Sequence, residues 1–207
     1  MIVAIDGPAG AGKTTTARRL AARLGYPYLD TGALYRALAL ALLRQDPTLN
    51  RARASEVLTT IQLEVVWDGT QVRLWLNGEE VTEAIRAPEV SRAASLISAW
   101  PEVRARLLEE QRRIGRTWAQ RYGGVVLDGR DIGTVVFPEA EVKVFLVAAP
   151  HERARRRQQE LAARGQRLPL EVVLREVLER DARDQERALA PLRKAEDAVE
   201  LDTTALT

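Results

Sequence analysis

The chain has 207 residues, a length typical of one domain or of one domain that carries an insert. It contains no cysteine and a single histidine, His151, which excludes disulfides, thiolate catalysis, cysteine-bound zinc and paired-histidine metal sites. Its 31 basic and 29 acidic residues leave a formal net charge of +2, which provides no broad basic face for nucleic acid. No apolar run approaches the roughly 18 residues of a membrane span, and the N-terminus lacks the basic start of a secretory signal. We therefore expect a soluble, cytoplasmic protein.

The chain begins with the pattern of a strand, a glycine-rich turn and a helix. Residues 2–5 form a short apolar run, residues 6–12 are rich in glycine, and the periodicity over 13–24 predicts a helix. A second helix is expected over about 31–44, with Thr31 as its N-cap. This order of elements is the start of a βαβ unit.

The pattern changes near Ile61 to strict alternation of apolar and polar residues. Two alternating runs are separated by Asp68-Gly69, and the second run ends at Asn77-Gly78. Such hairpins predict a small antiparallel insert of about 61–87 between core segments of about 1–60 and 88–207. Two helices should then begin at Pro88 and Pro101, because proline suits the first turn of a helix.

The remainder of the chain returns to short strands and longer helices. Apolar runs predict strands at 125–128, 142–147 and 199–202, and arginine-rich helices are expected over 151–164 and 169–187. The pattern as a whole predicts an α/β protein with a mostly parallel sheet.

Residues 7–14 match the phosphate-loop pattern G-x-x-x-x-G-K-[ST] in full. Glycines let backbone N–H groups turn toward a phosphate oxygen, and the following helix directs its positive end at the same anion. Lys13 would add a charge between the β- and γ-phosphates, and Thr14 would offer a hydroxyl to Mg²⁺. The predicted ATP-binding residues are Gly7, Pro8, Ala9, Gly10, Ala11, Gly12, Lys13, Thr14 and Thr15.

The phosphate loop alone does not name the reaction. The guanine-reading tetrapeptide Asn-Lys-x-Asp of GTPases does not occur in the sequence. A short chain with several arginine clusters favours a small kinase, in which arginines replace water around the transferring phosphates.

Two segments carry candidate acceptor-binding or metal-binding residues near a strand end or a helix start. Arg36 lies one turn into the second helix and either binds an anion or is solvated, with Tyr35 packed. Asp128-Gly-Arg-Asp131 closes a strand, where ligands bind in open α/β sheets, and Asp128 is placed to hold Mg²⁺ through water. The alternative for this segment is a simple turn with a surface ion pair.

Two helix faces carry further candidates. Arg180, Asp184 and Arg187 share one face, although Glu176, Arg180 and Asp184 also form the i, i+4 ladder of any solvated helix. The same ambiguity applies to Arg153, Arg156 and Arg157, which lie where a mobile lid over the phosphates could sit.

Taken together, these residues resemble the bacterial cytidylate kinase family, within the P-loop nucleoside monophosphate kinases. The resembling stretches are 5–14, 29–36, 93–95, 101–104, 128–138 and 179–184 with Arg187. The resemblance implies a three-layer P-loop fold with a central parallel sheet, a small antiparallel acceptor-binding insert and a helical lid of about 150–168. It also implies Mg²⁺-assisted, in-line transfer of the γ-phosphoryl group of ATP to CMP or dCMP, with arginines neutralising the charge.

The resemblance further implies a role for each candidate residue. The implied catalytic residues are Lys13, Arg130, Arg156, Arg157 and Arg187, and the implied metal ligands are Thr14 and, through water, Asp128. The implied acceptor-binding residues are Thr31, Tyr35, Arg36, Ser95, Arg104, Arg130, Asp131, Arg180, Asp184 and Arg187. Among these, Ser95, Arg104 and Asp131 would read cytosine, and Asp131 would accept a hydrogen bond from its amino group, which uracil lacks.

The expected partners are the small molecules CMP, dCMP and ATP, with neither nucleic acid nor a membrane, and we expect a monomer. Members of this family usually continue past the Leu-Asp-Thr-Thr segment into a final helix, whereas this chain stops at Thr207. We expect that difference to affect stability before activity.

Three other functions remain open from the residues. A P-loop kinase with a hydroxyl acceptor would need a base, and Asp30 or Asp131 could serve. A nucleotide-dependent switch would hydrolyse ATP without any acceptor. A nucleic-acid-binding protein would need a basic face that the charge balance does not provide.

Overall fold

The structure is a computed structural model that describes residues 1–163 and 165–206. Arg164, which falls in the helix predicted over 151–164, and Thr207 lie outside the described residues. The strands are β1 (Ile2–Asp6), β2 (Tyr28–Asp30), β3 (Leu63–Trp67), β4 (Val72–Leu76), β5 (Glu79–Glu80), β6 (Val125–Gly129), β7 (Val142–Val147) and β8 (Val199–Asp202). The α-helices are α1 (Lys13–Leu24), α2 (Thr31–Gln45), α3 (Arg51–Thr60), α4 (Pro88–Ile97), α5 (Pro101–Tyr122), α6 (Pro150–Ala163) and α7 (Leu170–Glu186). A 3₁₀ turn covers Ala84–Arg86, and a π-helical turn covers Ile132–Val136.

Within the described residues the strands form a five-stranded parallel sheet and a three-stranded antiparallel sheet. The larger sheet has the order β2-β6-β1-β7-β8, with Ile5 opposite Val144 in the pairing of β1 with β7. In the smaller sheet Val65 lies opposite Leu74, and the alternating hairpins form β3, β4 and β5. The predicted α/β class, with its central parallel sheet and small antiparallel sheet, is therefore confirmed.

The chain divides into two compact units, Met1–Leu20 with Asp128–Thr207, and Ala21–Leu127. In the first unit all five residues of β1 are buried, as expected for an apolar strand inside a parallel sheet. Helices α6 and α7 pack against each other through a small apolar cluster that includes Leu161 and Val173.

The second unit has its own core, built around α2. Leu34, Leu38 and Ile97 are fully buried there, and the hairpin adds Leu74 and Leu76 to the same cluster. Burial of apolar side chains at this scale is the main stabilising contribution to such a unit. None of the helices within the described residues is long and apolar enough to cross a membrane.

Helix α2 is capped by Asp30, so the prediction that Thr31 is the N-cap is wrong. Asp30 has an extended backbone, with φ −75° and ψ 98°, and its Oδ1 accepts a hydrogen bond from the N–H of Ala33 at 3.1 Å. A carboxylate at this position also interacts favourably with the helix dipole. Thr31 is instead the first helical residue. Pro88 and Pro101 begin α4 and α5, as predicted.

Candidate active site

The phosphate loop, residues 7–14, is packed closely against neighbouring backbone of the first unit. Gly7 has a φ of +146°, and a Cβ there would lie 2.2 Å from the carbonyl oxygen of Leu146 in β7. Gly10 has a φ of +77°, and a Cβ there would lie 2.9 Å from Cβ of Arg153 in α6. Glycine is required at both positions because it alone combines these backbone angles with the absence of a side chain.

Lys13 is buried beneath this loop, and its Nζ donates a hydrogen bond to the carbonyl of Pro8 at 2.6 Å. Burial, followed by the positive charge of Arg130, lowers the pKa of Lys13 well below its ordinary value, and Arg180 adds to this effect. The carboxylates of Asp128 and Asp184 act in the opposite direction. A cation in these surroundings gains strongly from a nearby anion. The loop and its lysine are therefore suited to a polyanionic ligand.

Thr14 and Asp128 lie close together although 114 residues separate them in the chain. The hydroxyl of Thr14 donates to Oδ2 of Asp128 at 3.1 Å, and Asp128 is only 3% exposed. Hydroxyl and carboxylate oxygens are ligands that Mg²⁺ accepts, and the ion usually completes its shell with water and substrate phosphates. No cluster of three or more His, Cys, Asp or Glu side chains suited to a metal occurs among residues 1–163 and 165–206. The pair thus fits a Mg²⁺ ion that is held mainly by a bound nucleotide.

Asp184 forms ion pairs with two arginines of the first unit. Its Oδ2 accepts from Nε of Arg130 at 2.9 Å, and its Oδ1 lies 4.0 Å from Nη1 of Arg187. Burial disfavours the charged form, but Arg130 and Arg180 outweigh it and hold the pKa of Asp184 below its ordinary value. Because Asp184 is only 6% exposed and pairs with a residue outside its helix, the solvated-ladder interpretation does not apply to it.

The arginines of α6 have different surroundings. Arg156 donates to the carbonyl of Gly10 at 3.3 Å and to that of Thr203 at 2.6 Å, so it lies beside the phosphate loop. Arg157 pairs with Glu160 at 3.0 Å on the same helix and is partly exposed. A partly exposed ion pair of this kind costs little to break.

In the second unit, Arg36 is held by the carboxylate that caps its helix. Its Nη2 donates to Oδ2 of Asp30 at 2.6 Å. Gly32 makes room for this pair, since a Cβ there would lie 3.1 Å from Oδ1 of Asp30 and 3.3 Å from Nη1 of Arg36. Arg36 is therefore oriented by the protein and is not a freely solvated side chain.

Tyr35, Ser95 and Arg104 belong to one polar and aromatic cluster of the second unit. The guanidinium carbon of Arg104 lies 5.9 Å from the centre of the Tyr35 ring, and its Nη1 donates to the carbonyl of Ser98 at 3.2 Å. The Ser98 hydroxyl in turn donates to the carbonyl of Ser95 at 2.9 Å. The hydroxyl oxygen of Ser95 is buried and has no hydrogen-bond partner within the described residues. A buried hydroxyl without a partner is costly, which suits a position where a ligand supplies the missing bond.

Asp131 is buried at the start of the π-helical turn, and Asp6 holds that turn in place. The two carboxylate oxygens of Asp6 accept from the N–H groups of Ile132 at 2.9 Å and Gly133 at 2.8 Å. Burial raises the pKa of Asp6 to about 6, although these N–H bonds act against the rise, and the charge of Asp131 adds to it. Asp6 was not among the site residues predicted from the sequence. Its one signal was an acidic residue at the end of an otherwise apolar strand.

A Lys-Thr phosphate loop at the carboxyl end of β1, with half-buried arginines around Asp184 in the same unit, is typical of P-loop phosphotransferases. The family model described as Cytidylate kinase matches residues 3–207, and the chain belongs to this family. The predicted resemblance is thus confirmed.

Individual relatives match over the whole chain. The chain is 53% identical over 207 residues to the cytidylate kinase of Salinibacter ruber, and the match covers 100% of this chain and 91% of that protein. It is 50% identical over 207 residues to the cytidylate kinase of Carboxydothermus hydrogenoformans, with the same coverage of 100% and 91%. It is also 50% identical over 211 residues to a bifunctional pantoate ligase/cytidylate kinase of a Synechococcus strain, of which it covers 38%.

Proposed function

We propose that this chain transfers the γ-phosphoryl group of ATP to CMP or dCMP and releases ADP with CDP or dCDP. The observation that carries the proposal is the arginine group around Asp184, in which Nε of Arg130 lies 2.9 Å from Oδ2 and Nη1 of Arg187 lies 4.0 Å from Oδ1. Burial lowers the pKa of Lys13 well below its ordinary value, and the charges of Arg130 and Arg180 lower it further. The effect of Arg130 and Arg180 on the pKa of Lys13 supports a place for these arginines beside the anions that the phosphate loop binds in this proposal. One arginine can suffice for hydrolysis of a nucleoside triphosphate. A phosphorylated acceptor brings a second polyanion, which a group of several arginines would neutralise.

On the donor side, residues 7–15 bind the ATP phosphates. Lys13 contacts the β- and γ-phosphates, and their negative charge favours its protonated form, which the free protein disfavours. Thr14 and, through water, Asp128 hold Mg²⁺. When bound, the ion neutralises charge on the phosphate oxygens.

On the acceptor side, an oxygen of the acceptor phosphate attacks the γ-phosphorus in line. The new P–O bond forms as the bond to the β-phosphate oxygen breaks, and ADP leaves with that electron pair. The attacking oxygen is already anionic, so no general base is needed. Arg36, Arg130 and Arg187 hold the acceptor phosphate, and Arg156 and Arg157 of the lid, about 150–168, face the transferring group.

The base and sugar are read by the remaining candidates. Asp131 accepts from the amino group of cytosine, while Ser95 and Arg104 donate to its ring nitrogen and carbonyl. The residues that complete the acceptor site are Thr31 and Tyr35 near the acceptor, and Arg180 and Asp184 at the sugar. UMP places a carbonyl opposite Asp131, and two unpaired buried acceptors cost about 1–3 kcal/mol.

We also propose a cytoplasmic monomer that acts on small molecules alone, and binds neither nucleic acid nor a membrane. The insert of about 61–87 belongs to the acceptor side in this proposal. Light scattering coupled to size-exclusion chromatography, with and without substrates, tests the monomer directly.

The deciding experiment measures ADP release with Mg²⁺-ATP and each of CMP, dCMP, UMP, AMP and GMP, beside a reaction without acceptor. Turnover confined mainly to CMP and dCMP supports the proposal. Asp131→Ala should then lower the preference for CMP over UMP by about tenfold or more. The matched control is Asp197→Ala, because Asp197 is an exposed acid paired with Lys143 at 2.7 Å.

Two outcomes would contradict the proposal. ADP release that does not depend on any acceptor indicates a nucleotide-dependent switch. Inactivity with all five monophosphates, in a protein that still binds ATP, indicates a hydroxyl acceptor; loss of turnover without loss of acceptor binding in Asp30→Asn would then identify its base.

A further inference from the structure

The carbonyl groups of the phosphate loop are hydrogen-bonded to side chains, three of which come from distant parts of the first unit. Consecutive carbonyl groups of the loop each accept a bond from a different donor. The bonds are Lys13 Nζ to Pro8 at 2.6 Å, Arg153 Nη1 to Ala9 at 3.1 Å, Arg156 Nη1 to Gly10 at 3.3 Å and Thr203 Oγ1 to Ala11 at 3.0 Å. Three of these donors lie more than 140 residues from the carbonyl that they bind.

Arg153 is fixed by groups outside the loop. It is 4% exposed, forms a two-pronged ion pair with Asp181 of α7, and donates through Nε to the carbonyl of Ala148 at 2.9 Å. A guanidinium has enough N–H groups in a rigid plane to serve all these acceptors together. Its contact with Ala9 is therefore imposed on the loop by α6 and α7.

Thr203 is fixed in a similar way by the sheet. It follows β8, and its own N–H donates to the carbonyl of Val147 at 2.8 Å. Its hydroxyl accepts from Arg156 at 3.2 Å, and its single proton has two acceptors in reach, the carbonyl of Ala11 at 3.0 Å and that of Val147 at 3.1 Å. Because the N–H of Thr203 already serves Val147, we assign the hydroxyl proton to Ala11. Arg156 also donates to the carbonyl of Thr203, and so links the segment after β8 to the loop.

These contacts determine which way the loop amides face. In a trans peptide the C=O of one residue and the N–H of the next point in opposite directions. When the carbonyls of Ala9 and Ala11 are held outward, the N–H groups of Gly10 and Gly12 face inward, where a phosphate binds. Both glycines have positive φ, +77° and +85°, and glycine samples many other conformations when unrestrained.

We propose that Arg153 and Thr203 are positioning residues of the donor-nucleotide site, which orient the loop amides for the triphosphate before it binds. Neither residue is required to touch ATP. The inference rests on the proposed function only in taking ATP as the donor, and it makes no use of the acceptor.

The test compares Thr203→Val with two matched variants by direct titration of Mg²⁺-ATP, without acceptor. Thr203→Val keeps the shape of the side chain and removes the hydroxyl, so the ATP dissociation constant should rise about tenfold. Thr203→Ser keeps the hydroxyl and should bind ATP as the unaltered chain does. Thr204→Val removes the neighbouring hydroxyl, which donates to Asp202 at 2.6 Å and accepts from the N–H of Ala149 at 2.9 Å, and ATP affinity should again be unchanged.

The Mg²⁺-ATP titration of Arg153→Lys is a second, independent test. It replaces the first test if Thr203→Val does not fold. Lysine keeps the positive charge opposite Asp181, but one nitrogen cannot also reproduce the fork that reaches Ala9. The ATP dissociation constant should again rise, while KM for CMP at saturating ATP stays the same.

A folded Thr203→Val variant with unaltered ATP affinity overturns the inference. A loss of ATP affinity in Thr204→Val equal to that in Thr203→Val overturns it as well. The two proposals fail separately. An unaltered chain that binds ATP but does not phosphorylate CMP removes the proposed function alone, and normal ATP binding in both positioning variants removes this inference alone.

Discussion

Asp6 is buried at the end of β1. The Asp6→Asn variant measures how much the charge of this carboxylate destabilises the folded protein. Burial raises the pKa of Asp6 from 3.8 to about 6, despite the opposing N–H bonds from Gly133 and Ile132. At 1.36 kcal/mol per pKa unit, that difference corresponds to about 3 kcal/mol of folding free energy. The folded protein holds this proton more tightly than the unfolded chain does. The contribution is therefore fully present below about pH 4, falls as the pH rises, and is lost above about pH 6.

The assay is urea unfolding of both proteins at intervals from pH 4 to pH 8. Asparagine does not titrate, so the difference between the two unfolding free energies isolates Asp6, and the lost carboxylate bonds add only a constant offset. That difference should move by about 2 kcal/mol in favour of the variant between pH 4 and pH 7, because the rest of the change falls below pH 4.

Asp197→Asn is the control, because hydrogen bonds from Lys143 lower the pKa of Asp197 and so reverse the sign of its pH dependence. Asp197 stabilises the fold above the pKa of the unfolded chain and loses that contribution as the pH falls. If the difference for Asp6→Asn stays flat from pH 4 to pH 7, Asp6 does not carry a raised pKa and the reasoning is refuted.

Three further predictions follow from contacts described above. Asp128→Asn should raise the Mg²⁺ concentration for half-maximal activity about tenfold or more, and Thr14→Ser should not; coincident Mg²⁺ titrations of the two variants would argue against the metal pair. Ser95→Ala should leave the melting temperature unchanged or raise it, yet increase KM for CMP about tenfold, since the free protein gives this hydroxyl no partner within the described residues; lower stability with an unchanged KM would contradict this. Gly124→Ala places a Cβ 2.2 Å from the ring of Tyr26 and should cost about 1–3 kcal/mol in chemical unfolding. Adding Tyr26→Leu should restore most of the lost unfolding free energy. A double variant whose loss equals the sum of the two single losses would contradict the clash.

Much of the fold could be predicted from the sequence because it depends on local pattern. The strands at 142–147 and 199–202 have the predicted bounds, and α1 begins and ends where its periodicity does. The error at Thr31 arose because Asp30 and Thr31 are both good capping residues in succession. The extended backbone of Asp30, at the end of β2, decides between them.

The site was predictable only where chemistry depends on residue type. A phosphate loop needs lysine and threonine at set positions, and a strand-ending aspartate beside it suggests a metal, so Thr14 and Asp128 could be named. Arg153 and Thr203 could not be assigned their positions in the same way. Both act on backbone carbonyls, which every residue possesses, and so no residue type at the loop indicates the partner.

The buried pair between Arg153 and Asp181 also limits how a lid could close. If α6 swung as a rigid rod about Pro150, the motion would break this pair and separate the helix from Gly10, and separating a buried ion pair costs about 3–5 kcal/mol. Bending nearer the tip, beyond Arg157, would leave this pair in place, and the buried contact of Leu161 with Val173 would be kept only if α7 bends together with α6. The Arg153–Asp181 pair therefore favours a hinge beyond Arg157, because bending there would leave the contacts of Arg153 and Arg156 with the phosphate loop unchanged.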